Sequence, residues 1–420
     1  MEKFVINGGN ALYGKVEIQS AKNSVLPLIA GSIVHEGKTV IEKCPKLGDV
    51  VVMAEIINRL GGKAEFLGED LVIDCSDLND YRLPPDLTGK IRASLFMVGA
   101  LLTRFNEATI ATTGGCDIGE RPIDIHINSL RELGVAVKEG EIVEFDADGF
   151  SAGKTKLPFK SVGATENLIM ASLKRKGVTV IENCAKEPEI IDLANFLNLL
   201  GAKIKGAGTD TVTVEGVENL TREEIRFKPV ADRIEAGTFL FAGAICGGEM
   251  RFLPESFENL TEVVKIIENN ACKIYRNNGK IEYIKFSGAY RGFGKVVTGT
   301  YPGFPTDLQP QLVSSACFSR GVTVVEEKVF PKRFDYAEEL KKSGADVSVC
   351  ANYCFVKGKK DLRGADMVAK DLRGGASVIL LALGVKGRSE ISGLDSVDRG
   401  YFKLEEKFRL LGADIKRINF

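Results

Sequence analysis

The sequence predicts an α/β protein with two domains, built from six repeated units of about seventy residues. Two recurring patterns in the 420 residues lead to this prediction. A Leu-Gly-Ala-like pattern places a small residue at Gly61, Gly134, Gly201, Ala271, Gly344 and Gly412. A second pattern, half a unit out of phase, places β-branched residues after Gly37, Gly177 and Gly321. Six units of this length divide naturally into two domains of three.

Each unit is predicted to begin with an apolar helix, as at residues 23–34 and 161–174. A β-branched strand follows, and then an amphipathic helix with apolar residues at helical spacing, as from Ile190 to Leu200. The Leu-Gly-Ala corner ends this helix and begins another strand, giving a βαβ-like unit. The 45 glycines exceed the usual share of about 7%, and we expect this surplus to be largely such corners, where a positive φ is needed.

Composition excludes several classes of protein. A net charge of −1 argues against a general nucleic-acid or membrane-surface binder, although a local cationic pocket remains compatible with it. No leader peptide is visible, and no apolar run approaches the roughly 20 residues that span a bilayer. Nine scattered cysteines and two histidines give poor support for a zinc site. We therefore expect a cytoplasmic protein with reduced thiols.

Positive charge collects where the first helix of a unit is predicted to begin. Lys22, Arg92 and Arg233 stand at such positions. The helix dipole favours acidic residues there, so cations are unexpected. One such cation could be surface variation. Recurrence in several units instead indicates anion binding, because a cation beside unbonded backbone N–H groups forms an anion site.

The segment 113–124 places three glycines around Cys116 and has neither a helix nor a strand pattern. It is either a tight turn with an incidental thiol or a loop with a reactive one. The neighbouring Asp117 and Glu120 favour the protonated thiol, whereas Arg121 favours the thiolate. A partly protonated thiol suits a general acid better than a nucleophile.

Asp307 follows a stretch with two prolines, Pro302 and Pro305, which predicts a rigid extended turn. Asp307 is expected to be the N-cap of the next helix. A carboxylate held so rigidly could also act as a base.

Eight motifs, in order along the chain, carry a resemblance to a known family. They are Ala21-Lys22-Asn23, Ile91-Arg92-Ala93-Ser94, Gly114-Gly115-Cys116 with Ile118-Gly119 and Arg121-Pro122, Ser161-Val162-Gly163-Ala164-Thr165, Glu187-Pro188-Glu189-Ile190, Phe304-Pro305-Thr306-Asp307, Asp371-Leu372-Arg373 and Asp398-Arg399-Gly400-Tyr401. Over essentially its whole length, the chain resembles the UDP-N-acetylglucosamine 1-carboxyvinyltransferases, the enolpyruvyl transferases of peptidoglycan synthesis.

The resemblance implies a fold of two inside-out α/β barrel domains, each made of three units. Residues 22–229 would form one domain, and residues 1–21 with 230–420 the other, with the active site in the cleft between them. The implied substrates are phosphoenolpyruvate and UDP-N-acetylglucosamine, with no cofactor, metal, nucleic acid or membrane. Such an enzyme would serve cell-wall synthesis, cell shape and cell division, and would be a target of fosfomycin.

The implied reaction transfers the enolpyruvyl group to the sugar 3′-hydroxyl and releases phosphate, by addition and elimination through a tetrahedral intermediate. The resemblance assigns Asp307 as the base for the hydroxyl proton. It assigns Cys116 as proton donor at C3 or as an aid to product release, able to form an adduct with phosphoenolpyruvate. Lys22, Asn23 and Arg399 would also be catalytic.

The resemblance also implies two sets of binding residues. Phosphoenolpyruvate would contact Lys22, Asn23, Arg121 and Arg399. UDP-N-acetylglucosamine would contact Arg92, Arg121, Pro122, Ile123, Asp124, Ile125, Lys160, Ser161, Val162, Gly163, Asp307 and Val329. Asp232, Asp371 and Arg373 would support the site.

The chain departs from the family pattern in a few places. Asp117 and Glu120 add negative charge near Cys116, Pro331-Lys332 stands after Phe330 where Glu-Asn is usual, and Ser396-Val397 replaces His-Ile. None of these departures removes a catalytic residue.

Two alternatives remain open. One is the enolpyruvyl transferase of the shikimate pathway, which acts on 3-phosphoshikimate and lacks the glycine–cysteine segment. The other is a non-catalytic protein that binds nucleotide-sugar. The joint presence of Lys22, Cys116, Asp307 and Arg399 favours an enzyme over the second alternative.

Overall fold

The computed structural model describes residues 2–111 and 123–419, which form 23 strands and fourteen α-helices. The strands are β1 (Glu2–Gly8), β2 (Leu12–Val16), β3 (Lys38–Ile41), β4 (Lys63–Leu67), β5 (Asp70–Asp74), β6 (Glu107–Ala111), β7 (Ala136–Lys138), β8 (Ile142–Asp146), β9 (Lys154–Lys156), β10 (Val178–Glu182), β11 (Lys203–Lys205), β12 (Thr211–Glu215), β13 (Ile225–Phe227), β14 (Gly248–Phe252), β15 (Cys272–Asn277), β16 (Lys280–Phe286), β17 (Gly294–Val297), β18 (Val322–Glu326), β19 (Asp346–Cys350), β20 (Tyr353–Lys357), β21 (Asp366–Val368), β22 (Gly387–Ser392) and β23 (Asp414–Asn419).

The helices are α1 (Lys22–Ser32), α2 (Gly48–Arg59), α3 (Pro85–Thr88), α4 (Phe96–Phe105), α5 (Asp124–Glu132), α6 (Val162–Ala171), α7 (Pro188–Leu199), α8 (Arg233–Cys246), α9 (Thr261–Asn270), α10 (Gln309–Ala316), α11 (Ala337–Lys341), α12 (Leu372–Gly384), α13 (Leu394–Asp398) and α14 (Leu404–Leu410). Short 3₁₀ helices lie at Arg92–Leu95, Pro254–Phe257 and Thr306–Leu308. Across the described ranges, no helix is both long enough and apolar enough to cross a membrane.

The described residues fall into two compact units. The N-unit contains residues 20–111 and 123–230, and the C-unit contains residues 2–19 and 231–419. The first strand of the chain belongs to the C-unit, because β1 lies between β22 and β23 and pairs antiparallel with both. Each unit contains three sheets.

The sheets repeat one arrangement, which is richer in strands than the sequence predicts. In the order β11-β12-β10-β9, β9 and β10 are parallel and are connected through the apolar helix α6. The chain then passes through the amphipathic helix α7 to the antiparallel hairpin β11–β12. The predicted strand after each corner is present, but in five of the six units a second strand that the prediction misses follows it and completes a hairpin; after Gly412 the strand is β23 alone. The prediction also misses the short strand before the apolar helix, because three residues are too few to show alternation.

The apolar helices form the interior of each unit. In the N-unit α4 packs against α1 and α6, and in the C-unit α8, α10 and α12 pack against one another. Nearly every residue of these helices is buried. A helix with no exposed face must be apolar all round, which explains the uniformly apolar segments at the start of the predicted units. The amphipathic helices, such as α2 and α7, keep one exposed face.

Five of the six predicted corners contain a glycine with positive φ. The values for Gly61, Gly134, Gly201, Gly344 and Gly412 lie between 85° and 99°. The sixth corner differs, because Ala271 has a φ of −125°. Fourteen further glycines of the described residues also have positive φ, so these corners account for only part of the glycine surplus.

One buried amide ties α4 to α6 in the N-unit. The Asn167 side chain accepts from the Gly99 N–H at 2.8 Å and donates to the Leu95 carbonyl at 2.8 Å. The helices approach so closely here that a Cβ on Gly99 would lie 2.3 Å from the Asn167 carbonyl oxygen. The contact therefore requires glycine at position 99.

We predict that Gly99→Ala lowers the free energy of unfolding by about 1–3 kcal/mol, because the added methyl group meets backbone and must separate the helices. Urea denaturation measures this loss. Gly89→Ala is the control, since Gly89 has an ordinary helical φ of −64° and its Cβ would only reach normal contact distance. Equal unfolding free energies for the two variants would contradict the close packing of α4 on α6.

Candidate functional site

Lys22 is the first residue of α1 and forms a buried ion pair in the N-unit. Its Nζ lies 2.7 Å from Asp49 Oδ2 in α2, and the two side chains are 10% and 6% exposed. The sequence gives no sign of this pairing, because an acidic residue in the first turn of α2 is already explained by the helix dipole. Asn23, the next predicted residue, is exposed.

The predicted residues at the start of α6 form a helix N-terminus with an adjacent lysine. Ser161 caps the helix by accepting from the Ala164 N–H at 3.3 Å, and Val162 and Gly163 begin its first turn. Lys160 forms a close ion pair with Asp210. Lys186 binds the other oxygen of that carboxylate at 2.6 Å. Hydrogen bonds from the two lysines lower the pKa of Asp210.

Gly163 is packed against two aromatic side chains of the N-unit. A Cβ at this position would lie 2.9 Å from Phe96 Cε1 and 3.2 Å from His126 Cε1. His126 lies in α5, whose first residues are the predicted Asp124 and Ile125, with Ile123 directly before them. Asp124 is exposed and Ile125 is buried. The start of α6 and the start of α5 are thus neighbours.

His126 is neutral and fixed in this cluster. Its Nδ1 lies 2.9 Å from Asn167 Nδ2, which can only donate, so Nδ1 accepts. Burial lowers the pKa of His126 to about 3, and the charge of Arg92 lowers it as well. Arg92 itself begins the 3₁₀ helix before α4. The positive charge of Arg92 therefore acts on the buried His126 ring, which packs against Gly163.

Three of the predicted site residues, Cys116, Arg121 and Pro122, lie outside the described residues. The reactive-loop hypothesis for segment 113–124 thus stays a prediction from sequence.

Asp307 lies between two buried arginines in the C-unit. Arg333 Nη1 is 2.7 Å from Asp307 Oδ1, while Arg373 Nε and Nη2 are each 3.2 Å from Oδ2. The two arginine side chains are 4% and 3% exposed, whereas Asp307 is 27% exposed. Contacts with two guanidinium groups favour the ionised form of this carboxylate, which still reaches solvent.

The prediction that Asp307 is an N-cap is wrong. The residue before the 3₁₀ helix Thr306–Leu308 is Pro305, and no side chain caps this turn. Asp307 lies inside the turn and points its carboxylate to the arginines instead. The sequence did not single out Arg333, because ion pairing between residues 26 positions apart has no local signal.

The predicted supporting residues surround Arg373. Asp371 caps α12 by accepting from the Arg373 N–H at 3.0 Å and the Gly374 N–H at 2.9 Å. Burial alone would lower the pKa of Arg373, but Tyr401, Asp307 and Asp232 together raise it. The guanidinium carbon also lies 5.4 Å from the centre of the Tyr401 ring. Arg373 is therefore charged despite its burial.

The remaining predicted residues lie on other segments of the C-unit. Asp232 caps α8 by accepting from the N–H groups of Ile234 and Glu235 at 2.8 and 3.0 Å. Arg399 directly follows α13 and is partly exposed. Val329 is partly exposed and donates its N–H to Glu327 Oε1 at 2.8 Å.

Sequence comparison relates the chain to enzymes over its full length. The family profile described as EPSP synthase (3-phosphoshikimate 1-carboxyvinyltransferase) matches residues 6–408. UDP-N-acetylglucosamine 1-carboxyvinyltransferase 2 of Caldanaerobacter subterraneus subsp. tengcongensis is 43% identical over 421 residues, with all of both chains covered. UDP-N-acetylglucosamine 1-carboxyvinyltransferase 1 of Carboxydothermus hydrogenoformans is 40% identical, covering 100% of this chain and 99% of the relative.

Solved structures share the fold. The enolpyruvyl transferase NikO from Streptomyces tendae matches with a TM-score of 0.89 and 24% identity, over 99% of this chain and 98% of that one. EPSP synthase from Acinetobacter baumannii matches with a TM-score of 0.75 and 18% identity over all of both chains. The α/β fold predicted from the repeats is thereby confirmed.

We predict that protonation of His126 destabilises the protein in acid. The pKa is about 3 in the folded protein and about 6.5 in an unfolded chain. Between these values the unfolded state binds the extra proton, so stability falls as pH falls. The slope is about 1.4 kcal/mol per pH unit, or about 2 kcal/mol between pH 7 and pH 5.

Urea unfolding of wild type and His126→Asn at the two pH values measures this contribution. The variant keeps an acceptor for Asn167 but cannot titrate, so its stability should depend less on pH by that amount. His35, whose pKa burial also lowers, is present in both proteins and cancels in the comparison. Identical pH dependence in the two proteins would contradict a buried neutral His126.

Proposed function

This chain belongs to the enolpyruvyl transferase family, among the UDP-N-acetylglucosamine 1-carboxyvinyltransferases, and we propose that it transfers the enolpyruvyl group of phosphoenolpyruvate to the 3′-hydroxyl of UDP-N-acetylglucosamine. Phosphate is the second product. The full-length identity of 43% to a relative of that name supports the choice of substrate. The observation that carries the chemistry is the solvent-reaching Asp307 carboxylate held by two buried arginines.

In the proposed addition step, Asp307 accepts the hydroxyl proton as the oxygen bonds to C2 of phosphoenolpyruvate. Arg333 and Arg373 stabilise the carboxylate and so make it a weak base. A weak base is sufficient here, because the hydroxyl proton becomes acidic only as the new C–O bond forms. Cys116 gives a proton to C3 or aids product release. In the elimination step the C2–O bond to phosphate breaks and C3 loses a proton, which restores the vinyl group.

The proposed binding residues fall into two sets, one for each substrate. Lys22, Arg121 and Arg399, with Asn23, bind the phosphate and carboxylate of phosphoenolpyruvate. Arg92, Lys160 and the start of α6 (Ser161 to Gly163) suit the diphosphate of the nucleotide, because a helix N-terminus with a lysine attracts anions. The remaining contacts to the nucleotide-sugar are Arg121, Pro122, Ile123, Asp124, Ile125, Asp307 and Val329. Asp232, Asp371 and Arg373 position Asp307.

The main experiment measures phosphate release by the purified chain from phosphoenolpyruvate with either UDP-N-acetylglucosamine or 3-phosphoshikimate. Release with the nucleotide-sugar alone supports the proposal. Release with 3-phosphoshikimate alone would favour the shikimate-pathway alternative that the family profile also names. Binding of nucleotide-sugar without turnover would favour the non-catalytic alternative.

We predict that Asp307→Asn lowers kcat by about 10²- to 10⁴-fold, the usual loss when a general base is removed. The amide keeps the shape and one acceptor oxygen for the arginines, so the fold should persist. Glu268→Gln is the matched control, because Glu268 also binds an arginine, Arg276, through two contacts of 2.7 Å in the same unit. Normal turnover by Asp307→Asn would remove Asp307 from the mechanism.

We further propose that the enzyme acts in the cytoplasm in cell-wall synthesis, and that fosfomycin inactivates it through Cys116. Incubation with fosfomycin should abolish phosphate release by wild type and add the mass of the inhibitor to one thiol. Cys116→Ser should gain no mass, and exposed Cys350 offers an internal check on thiol selectivity. Labelling of Cys350 alone would count against the proposed role of Cys116.

A further inference from the structure

Glu327 is a fully buried carboxylate in the C-unit that no predicted role includes. It directly follows β18, and its side chain accepts four hydrogen bonds. Oε1 accepts from the Thr298 hydroxyl at 2.7 Å and from the N–H groups of Val329 and Phe330 at 2.8 and 3.0 Å. Oε2 accepts from the Thr306 hydroxyl at 2.9 Å. Four donors satisfy a buried charge that would otherwise be costly.

These four donors come from three separate segments of the chain. Thr298 directly follows β17, Thr306 begins the 3₁₀ turn that carries Asp307, and Val329 and Phe330 follow β18. Two of the three segments carry residues proposed to contact the nucleotide-sugar, namely Asp307 and Val329. A single carboxylate thus fixes the spacing of both.

The network continues from Glu327 to the proposed base. Thr306 Oγ1 lies 3.2 Å from Arg333 Nη1, and the same nitrogen lies 2.7 Å from Asp307 Oδ1. A carboxylate can only accept, so the Thr306 hydroxyl must point its proton to Glu327. Its lone pairs are then free to accept from Arg333. Glu327 therefore fixes the direction of the Thr306 hydroxyl, and Arg333, which can only donate, binds both Thr306 and Asp307.

We propose that Glu327 is a positioning residue for the transferase reaction, which orients Asp307 through Thr306 and Arg333 and holds Val329 in place. The proposal rests on the proposed function. It assigns to Glu327 an influence on both proton transfer at Asp307 and the affinity for UDP-N-acetylglucosamine. Glu327 does not itself touch substrate.

Glu327→Gln tests the direction of the bonds while keeping the size of the side chain. The amide oxygen can still accept from Thr298, Val329 and Phe330. The amide nitrogen, however, must donate to Thr306, whose hydroxyl then receives protons from two sides and has to turn its own proton elsewhere. We expect kcat to fall about 10- to 100-fold, since small displacements of a catalytic group cost rates of this order. KM for UDP-N-acetylglucosamine should rise, because Val329 shares the same carboxylate.

Thr306→Val removes the hydroxyl and should reduce kcat to a similar extent, while Thr306→Ser should restore near wild-type turnover. The double variant Glu327→Gln with Thr306→Val should be little worse than either single variant, because both act through one bond. A purely structural role would instead give independent, multiplying losses. Thermal unfolding is measured for every variant.

Tyr290→Phe provides the stability control. Tyr290 is buried in the same unit and donates its hydroxyl to the Ser315 carbonyl at 2.6 Å, so its loss destabilises the core without touching the Asp307 network. Either of two results would overturn the positioning role alone. One is that kcat and KM of Glu327→Gln and Thr306→Val match those of Tyr290→Phe. The other is that the losses in kcat multiply in the double variant. An inactive wild-type chain would overturn the proposed function and this inference together.

Discussion

The C-unit is constrained above all by the two buried guanidinium groups that meet Asp307. Arg333 and Arg373 are almost fully buried, and charges in such a setting are tolerated only when they are paired. Asp307 is the partner they share, so the turn that carries it cannot move without taking away the carboxylate that both buried guanidinium groups contact. Two further contacts hold this cluster in place. Asp371 binds the backbone N–H of Arg373, and Glu327 binds the hydroxyl of Thr306, the residue next to Asp307.

The N-unit places charge in its interior in a different way. Lys22 is compensated by Asp49, but Glu166 in α6 is fully buried, and neither of its oxygens has a hydrogen-bond partner within the described residues. Burial raises the pKa of Glu166 well above its usual range, and the charges of Glu189 and Glu187 raise it further. Its surroundings therefore favour the protonated form of Glu166, which lies only three residues beyond Gly163. An unsatisfied polar group in the interior of a protein costs stability, and such costs concentrate near functional sites.

The sequence predicted those features that depend on period and on local geometry. Six repeats, the buried apolar helices and the charged helix starts all have signatures within a few residues. The short strands were missed because three residues carry no alternation. Asp307 was predicted to be a cap, since a local pattern cannot distinguish a carboxylate that meets its own helix from one that meets Arg333. Asp49 and Glu327 were missed for the same reason: their partners are brought near only by the tertiary fold.

The repeated unit explains which positions can carry functional side chains without loss of the fold. Three of the six central helices have a side-chain cap, from Ser161, Asp232 and Asp371. In the described residues the other three helix starts have none, and these contain Lys22, Arg92 and Asp307. A lost cap costs about 1 kcal/mol. At each of these three helix starts the chain lacks the stabilisation of a cap and has a charged side chain instead. Equivalent positions in one repeated unit thus cap the helix in three copies; in the proposed function, the other three copies and the capped start of α6 serve substrate binding or proton transfer.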